Sequence, residues 1–335
     1  MVTSPTVNTS SSSAQILRAD FNALLNHGGV FELTNRAKIE LTGRDRVRWL
    51  NGQITNNIRD LAVGRGVYAF IITPQGRILA DLYAYNLGES LLIDTDKAQG
   101  EKVLQIFRKY IIMDKVELNS ADEKLVAVGV AGHESRQFIS AAGIETPQLE
   151  PLQLAKIQWR DTELTMLRTD HDRIESYELW LEPAKAEALH SALTEAGAAP
   201  INDATLEVLR IAESRPKYGQ DITERDLPQE TGQMRALSFT KGCYIGQEIV
   251  ERIRSRGAVH RQFSAFRVEG PMPAPGTKIT GDGKEIGEIT SAAVLPVGQG
   301  EIAAALGYIR REAAVPGARL IAGESHLSIV TAPFI

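Results

Sequence analysis

The sequence contains a single cysteine, Cys243, among 335 residues. A disulfide framework needs several cysteines, and a zinc–thiolate or iron–sulfur site held by one chain needs several thiolates. A single cysteine therefore excludes both kinds of site within this chain. The six histidines are scattered along the sequence, and we predict no metal site.

The sequence also lacks any apolar run near the roughly 18 residues that a membrane-spanning helix requires. Residues 1–14 are rich in Ser and Thr and contain neither an apolar core nor an arginine, so they match no secretory signal or transit peptide. We interpret them as a disordered tail, and we expect a cytoplasmic protein with no membrane partner. The net charge of −5 argues against direct nucleic-acid binding.

Common phosphate-binding and metal-binding motifs are missing as well. The chain has neither a P-loop nor an HExxH pattern. Residues 64–69 contain a loose Gly-x-Gly pattern. They lead into the β-rich run 67–73, whereas the dinucleotide-binding fingerprint opens a helix, so we reject this motif.

Hydrophobic periodicity divides the chain into an α+β body and a β-rich end. Two successive sets of strands and amphipathic helices, with both hairpins and crossovers, occupy most of the chain. They predict two split-βαβ, ferredoxin-like lobes: residues 15–120, completed by about 203–256, and residues 121–202. Short β runs separated by Gly and Pro then predict a small C-terminal β-barrel over residues 257–335.

The densest group of chemically able side chains lies in residues 241–248, Lys-Gly-Cys-Tyr-Ile-Gly-Gln-Glu. Glycines flank the Cys–Tyr pair and the residues that follow can form a helix, so we predict a loop that enters a helix N-terminus. Free N–H groups there, together with Lys241, would favour a thiolate at Cys243. The alternative is an inert, buried cysteine, which is the usual role of a lone one.

Residues 241–248 carry every specified residue of K-G-C-Y-x-G-Q-E, so the chain resembles the YgfZ family of folate-binding proteins, relatives of the glycine-cleavage T-protein. Other segments are also similar to the YgfZ pattern: residues 41–45, 50–55, 76–82, 215–219 and 256–261. The resemblance implies a ring of three lobes around a central channel that holds tetrahydrofolate or a one-carbon-substituted folate. It also implies a role in making, maintaining or repairing iron–sulfur client proteins, with tRNA modification among the processes served.

Two charged residues are candidates to fix the ends of the folate. Residues alternate along the strand predicted at 176–181, so Glu178 shares a face with Trp180. A buried glutamate can accept the paired N–H groups of a pterin edge, and Glu175 is the competing candidate. Arg210 lies in a segment that resembles the family's L-R-x-E-x-G helix. It could pair with the carboxylate of the folate tail, or form only a surface salt bridge.

Two tyrosines, Tyr83 and Tyr244, are candidates for the aromatic walls of the pterin site. Asp81 lies on a strand predicted after a tight turn, where its carboxylate could accept a proton from a bound amine or simply face solvent. The matching T-protein segment is similar to G-G-x-x-D-D-L, in which an aspartate acts on the aminomethyl group carried by folate. Here the pair is Ala80-Asp81, so one carboxylate of the two is retained.

These observations leave three hypotheses for function. The leading one is a folate-binding accessory factor in which Cys243, activated by Lys241, exchanges with thiols or clusters of an iron–sulfur client. The second is a folate-dependent one-carbon (aminomethyl or methyl) transferase with Asp81 as its acid–base group. The third is a scaffold whose cysteine is merely structural.

Overall fold

The computed structural model describes residues 9–171, 173–257, 259–315 and 317–335. The first elements in chain order are α1 (Thr9–Asn26), β1 (Gly29–Glu32), β2 (Arg36–Thr42), α2 (Arg46–Gln53), β3 (Arg65–Ile72), β4 (Ile78–Asn86), β5 (Leu91–Asp96), α3 (Lys97–Tyr110) and β6 (Glu117–Ser120). They are followed by β7 (Val126–Ala131), α4 (Ser135–Ala141), β8 (Leu154–Trp159), β9 (Thr162–Arg168), β10 (Ser176–Leu181), α5 (Ala186–Glu195), β11 (Ala199–Pro200), α6 (Asp203–Ala212) and α7 (Gln247–Arg256).

The remaining strands belong to the C-terminal part of the chain: β12 (Arg261–Glu269), β13 (Lys278–Gly281), β14 (Lys284–Leu295), β15 (Ile302–Arg310), β16 (Leu320–Ala322) and β17 (Ser325–Val330). Short 3-10 helices connect some of these elements, at Pro183–Lys185, Pro228–Thr231, Met234–Ala236 and Arg311–Ala313.

Strands β3, β4, β5, β2 and β6 form, in that order, an antiparallel five-stranded sheet. Because side chains alternate along each strand, one face of the sheet is apolar and packs against α2 and α3. That face carries Ile39, Ala69, Leu82 and Ile93. The alternate positions place Asp81, Tyr83 and Tyr85 on the other face.

The second sheet has six strands in the order β11, β1, β7, β10, β9 and β8. The β1–β11 pair is parallel and the other pairs are antiparallel. Its outer face buries Val128, Val130 and Leu179 against α4 and α5. The two sheets are in contact through their other faces, where the Tyr85 and Trp180 rings meet edge to face with centroids 5.1 Å apart.

The C-terminal strands close into a six-stranded barrel in the order β12, β15, β14, β13, β16 and β17. The β12–β17 pair completes the circle. Helix α6 packs on the outside of this barrel, where Leu209 joins Ala304 and Leu306 in one apolar cluster. The predicted fold class, an α+β body followed by a C-terminal β-barrel, is confirmed.

The first strand departs from the predicted lobe boundaries. Strand β1 lies within the predicted lobe 15–120, but it pairs with β7 in the six-stranded sheet. Val30 is fully buried in the core of that sheet, and Gly29 lies against Ile201 with no room for a side chain. Residues 33–35 then carry the chain across to β2 in the other sheet. Local periodicity predicts a strand here but does not specify its partner.

Helix α1 begins within the predicted disordered tail. Of the predicted disordered tail 1–14, residues 1–8 lie outside the described residues, while residues 9–14 form the first turns of α1. Ser and Thr lower helix propensity by only tenths of a kcal/mol per residue, so a helix anchored further along can extend through them. The anchors are Phe21 and Leu24, which are fully buried against the α6 cluster.

Candidate functional site

A cavity of about 610 Å³ lies where the two sheets and α6 meet. Its volume falls within the roughly 300–1,000 Å³ typical of small-molecule sites. Both sheets and the helix supply lining side chains, among them Arg36, Tyr83, Glu178 and Leu209. The cavity therefore brings together three of the predicted candidates, Tyr83, Glu178 and Arg210.

Glu178 lies on the wall that the six-stranded sheet contributes to this cavity. The predicted alternation holds, because Trp180 Nε1 donates a hydrogen bond of 2.7 Å to Glu178 Oε2 while Leu179 faces the outer core. Burial, followed by the negative charge of Asp94, raises the pKa of Glu178. No described residue donates a hydrogen bond to Oε1, so this oxygen can accept one from a ligand.

Glu175, the competing candidate, does not line the cavity. Its Oε1 accepts a hydrogen bond of 2.5 Å from the hydroxyl of Tyr177, whose ring is buried in the core on the helix side of the sheet. Of the two glutamates on this segment, Glu178 is the one placed to contact a ligand in the cavity.

A buried charge cluster, which the sequence did not reveal, supports Glu178 from the opposite sheet. Asp94 is 1% exposed and accepts hydrogen bonds from Arg36 Nε at 2.9 Å and Lys38 Nζ at 3.1 Å. Although burial opposes it, the charges of Arg36 and Lys38 hold the pKa of Asp94 below its usual range. Lys38 Nζ also lies 4.3 Å from the centroid of the Trp180 ring.

These charges sit at alternating positions of β2 and β5, a pattern that is also typical of a strand with a solvent-facing side. The one signal that the face is covered is the pair Tyr83 and Tyr85 on the neighbouring strand β4, since two large rings at i and i+2 indicate a packed surface.

Asp81 lies in a smaller pocket of about 150 Å³, which shares Arg36 and Tyr83 with the main cavity. Tyr68 donates a hydroxyl hydrogen bond of 2.7 Å to Asp81 Oδ2, and Gln99 Nε2 donates one of 2.8 Å to Oδ1. Burial and the Asp81 charge raise the pKa of Tyr68 well above its usual value, so its hydroxyl stays a donor. Asp81 is therefore held in a fixed orientation beside the cavity.

Tyr83 lies between the two pockets and is fixed by a second ionic group. Its hydroxyl donates to Asp170 Oδ1 at 3.1 Å and accepts from Arg215 Nη2 at 3.0 Å. Asp170 also forms ion pairs with Arg215 and Arg235. The predicted aromatic wall at Tyr83 thus has its ring orientation set by residues from the loops after β9 and α6.

Arg210 lies at the edge of the cavity, but its guanidinium is fully committed within the protein. Its N–H groups donate to both carboxylate oxygens of Glu207, to Asp221, to the carbonyl of Arg215 and to Ser291. An arginine has five N–H donors, so none remains for the predicted contact with a folate tail. Arg210 instead joins α6 to the barrel strand β14.

The Lys241 ammonium is hydrogen-bonded to the backbone and does not donate to the cysteine that the sequence analysis paired it with. Its ammonium donates hydrogen bonds of 2.5–2.7 Å to the carbonyls of Asn51, Ile54 and Asn56, which uses all three of its N–H groups. Burial, followed by the positive charge of Arg59, lowers the pKa of Lys241 to about 7. The residue clamps the end of α2 and the segment that follows it.

Cys243 is exposed and lies on a loop before α7. The predicted loop-to-helix transition is present, but α7 begins at Gln247, so the sulfur is not part of its first turn. Tyr244 is buried beneath the Lys241 ammonium, 4.9 Å from the ring centroid. Neither Cys243 nor Tyr244 is among the described side chains that line the cavity. Tyr244 packs instead with Phe70 and Ile72 of β3.

Two family models account for most of the chain. Residues 4–241 match the GCVT N-terminal domain, and residues 261–333 match the CAF17 C-terminal β-barrel domain. The chain belongs to the YgfZ/CAF17 family of GcvT-like proteins. The resemblance carried by residues 241–248 is thereby confirmed.

Individual relatives of this YgfZ/CAF17 family member are distant. An Arabidopsis thaliana protein, named for an inferred transferase activity in the chloroplast, is 26% identical over 304 residues, which span 90% of this chain and 70% of the relative. An aminomethyltransferase of Rubrobacter xylanophilus is 26% identical over 284 residues, spanning 84% and 76%.

Among solved structures, the glycine cleavage system aminomethyltransferase T of Bartonella henselae superposes with a TM-score of 0.85 at 19% identity. The match covers 95% of this chain and 89% of that one. At this identity the likeness establishes a shared fold. Within the described part of the YgfZ/CAF17 family member, no helix has both the length and the apolar character needed to cross a membrane.

We predict that Lys241→Met lowers the free energy of unfolding, whereas Cys243→Ala, two residues away and exposed, leaves it nearly unchanged. Methionine keeps the apolar stem but removes the donor from three carbonyls, and each buried acceptor left unsatisfied costs about 1–3 kcal/mol. Urea unfolding of both variants measures the difference. Equal stability of the two variants would contradict the structural role assigned to Lys241.

We predict that Glu178→Gln stabilises the ligand-free protein near neutral pH. The raised pKa means that ionised Glu178 is less favourable in the folded than in the unfolded chain, and glutamine can still accept the Trp180 hydrogen bond. As pH falls toward the unfolded value of about 4.3, both states become protonated and the gain disappears. Urea unfolding at several pH values tests this; a loss of stability at neutral pH would show that the charge is favourable there.

Proposed function

We propose that this chain binds a reduced folate, either tetrahydrofolate or a one-carbon-substituted form, in the cavity between the two sheets. The observation that carries the proposal is Glu178, a partly buried carboxylate on the cavity wall with one oxygen that accepts no hydrogen bond from the described residues. Membership of the YgfZ/CAF17 family supports this choice of ligand, as does the aminomethyltransferase name of several relatives.

The chemistry of the cavity fits a pterin. Its aminopyrimidinone ring presents two adjacent N–H groups, which a carboxylate can accept in a charge-assisted pair. Tyr83 and Tyr85 lie nearly parallel, with an interplanar angle of 14° and centroids 6.3 Å apart. Together with Phe31 they supply aromatic surface to the same cavity, and such surface packs well against a flat heterocycle.

We further propose that the folate-bound protein is an accessory factor for iron–sulfur proteins in the cytoplasm, with Cys243 as the thiol that meets the client. The exposed sulfur is open to a partner protein. The Lys241 clamp supports this role because it fixes the start of the loop to α2. In this arrangement the folate and the client occupy separate places on the molecule.

A one-carbon transferase is the second candidate, and the position of Asp81 favours it. Asp81 is oriented by Tyr68 and Gln99 in a pocket that shares lining residues with the folate cavity. From there its carboxylate could take a proton from an amine carried by the folate, as acid–base chemistry at this place would require.

We predict that tetrahydrofolate binds the wild-type chain and that Glu178→Ala weakens this binding about tenfold or more, the equivalent of losing one charge-assisted pair. The matched control is Glu175→Gln, three residues away but bonded to Tyr177 outside the cavity, which should bind like the wild type. Anaerobic calorimetry measures all three. No binding by the wild type, or equal losses in both variants, would overturn the proposal.

The accessory role predicts that Cys243→Ala fails to restore iron–sulfur enzyme activity in a host strain that lacks this protein, while Asp81→Asn restores it. Both variants are first checked for folate binding and for unchanged thermal unfolding. The reverse pattern, with Asp81 needed and Cys243 dispensable, would favour the transferase instead.

A further inference from the structure

Arg36 lines the cavity with a guanidinium that is hydrogen-bonded through Nε and open at its two Nη groups. Its Nε donates to the buried Asp94 at 2.9 Å. Its two Nη groups have no hydrogen-bond partner among the described residues, and the side chain is 22% exposed. It lines both the main cavity and the Asp81 pocket. By contrast, the donors of Arg210 are all used within the protein.

Arg36 and Glu178 are also the two ends of one buried network. Arg36 and Lys38 both donate hydrogen bonds to Asp94. The Lys38 ammonium lies over the Trp180 ring, and the Trp180 indole donates a hydrogen bond to Glu178. The three residues between these ends, Asp94, Lys38 and Trp180, are nearly inaccessible to solvent. Both end groups therefore present fixed, opposite charges to the same cavity.

We propose that Arg36 and Glu178 together recognise the edge of the pterin ring. Arg36 donates a hydrogen bond to the C4 carbonyl, and Glu178 accepts hydrogen bonds from the neighbouring N–H groups. This inference rests on the proposed folate binding. A guanidinium and a carboxylate that line the same cavity are complementary to an edge that carries an acceptor next to donors. Arg36 thereby favours a 4-oxo over a 4-amino ring, in addition to any preference that Glu178 has for the N–H next to the C4 carbonyl.

The distinction follows from donor and acceptor chemistry. A 4-amino group presents N–H donors where the 4-oxo ring presents a lone pair, and an arginine has no acceptor to offer them. The contact with Arg36 thus favours the 4-oxo ligand, whatever the other parts of the two molecules contribute to binding.

The experiment compares tetrahydrofolate with its 4-amino analogue, tetrahydroaminopterin, by anaerobic calorimetry on the full chain. The measured quantity is the ratio of the 4-amino to the 4-oxo dissociation constant. In Arg36→Gln we expect this ratio to fall about tenfold relative to wild type, the loss of one hydrogen bond to a charged group. Arg36→Lys keeps a charge beside Asp94 and should give an intermediate ratio. Arg267→Gln, on an exposed position of the barrel, should leave it unchanged.

The possible outcomes test folate binding and the role of Arg36 separately. If wild type fails to bind tetrahydrofolate, the proposed function is overturned. If the wild type binds but neither Arg36→Gln nor Arg36→Lys changes the ratio of dissociation constants, Arg36 does not recognise the ring and the inference fails. A ratio is insensitive to partial unfolding of a variant, because unfolding lowers both apparent affinities equally.

Discussion

A buried carboxylate, Asp94, organises the charged residues at the interface of the two sheets. Burying a charge is unfavourable unless it is paired and hydrogen-bonded, and Asp94 meets this requirement through Arg36 and Lys38 on the neighbouring strand. Lys38 in turn lies against Trp180 of the other sheet. The ion pairs of one lobe are thereby tied to the aromatic packing between the lobes.

This arrangement explains why the cavity has a polar wall within an otherwise apolar interface. The face between the sheets is closed by rings and aliphatic side chains such as Tyr85, Leu92 and Leu167. Where that packing ends, the buried network ends too, and its outer members Arg36 and Glu178 line the cavity. A ligand that satisfies both charges would complete a set of interactions that the protein has already oriented.

The sequence predicted those features that depend on local pattern. Alternation along residues 176–181 correctly placed Glu178 and Trp180 on one face, and the change of periodicity near residue 257 correctly indicated the barrel. The loop before α7 was also found from its glycines. Each of these follows from neighbours a few positions apart in the chain.

The sequence could not predict contacts made between distant residues. Lys241 donates to carbonyls 185 to 190 positions earlier in the chain, and Arg210 donates to Ser291 on a barrel strand. Because these partners use every N–H donor of the two side chains, Lys241 has none left for the thiol and Arg210 has none left for the folate tail. The Asp94 cluster was missed for the same reason, since charged residues on a strand give no sign that a second sheet covers them.

A crystal structure of the chain grown with tetrahydrofolate under anaerobic conditions would show where the folate binds. We expect the pterin to lie between the two sheets, with its N–H edge within hydrogen-bond distance of Glu178. A folate bound elsewhere on the molecule, or a cavity that stays closed to the ring at saturating ligand, would contradict this expectation.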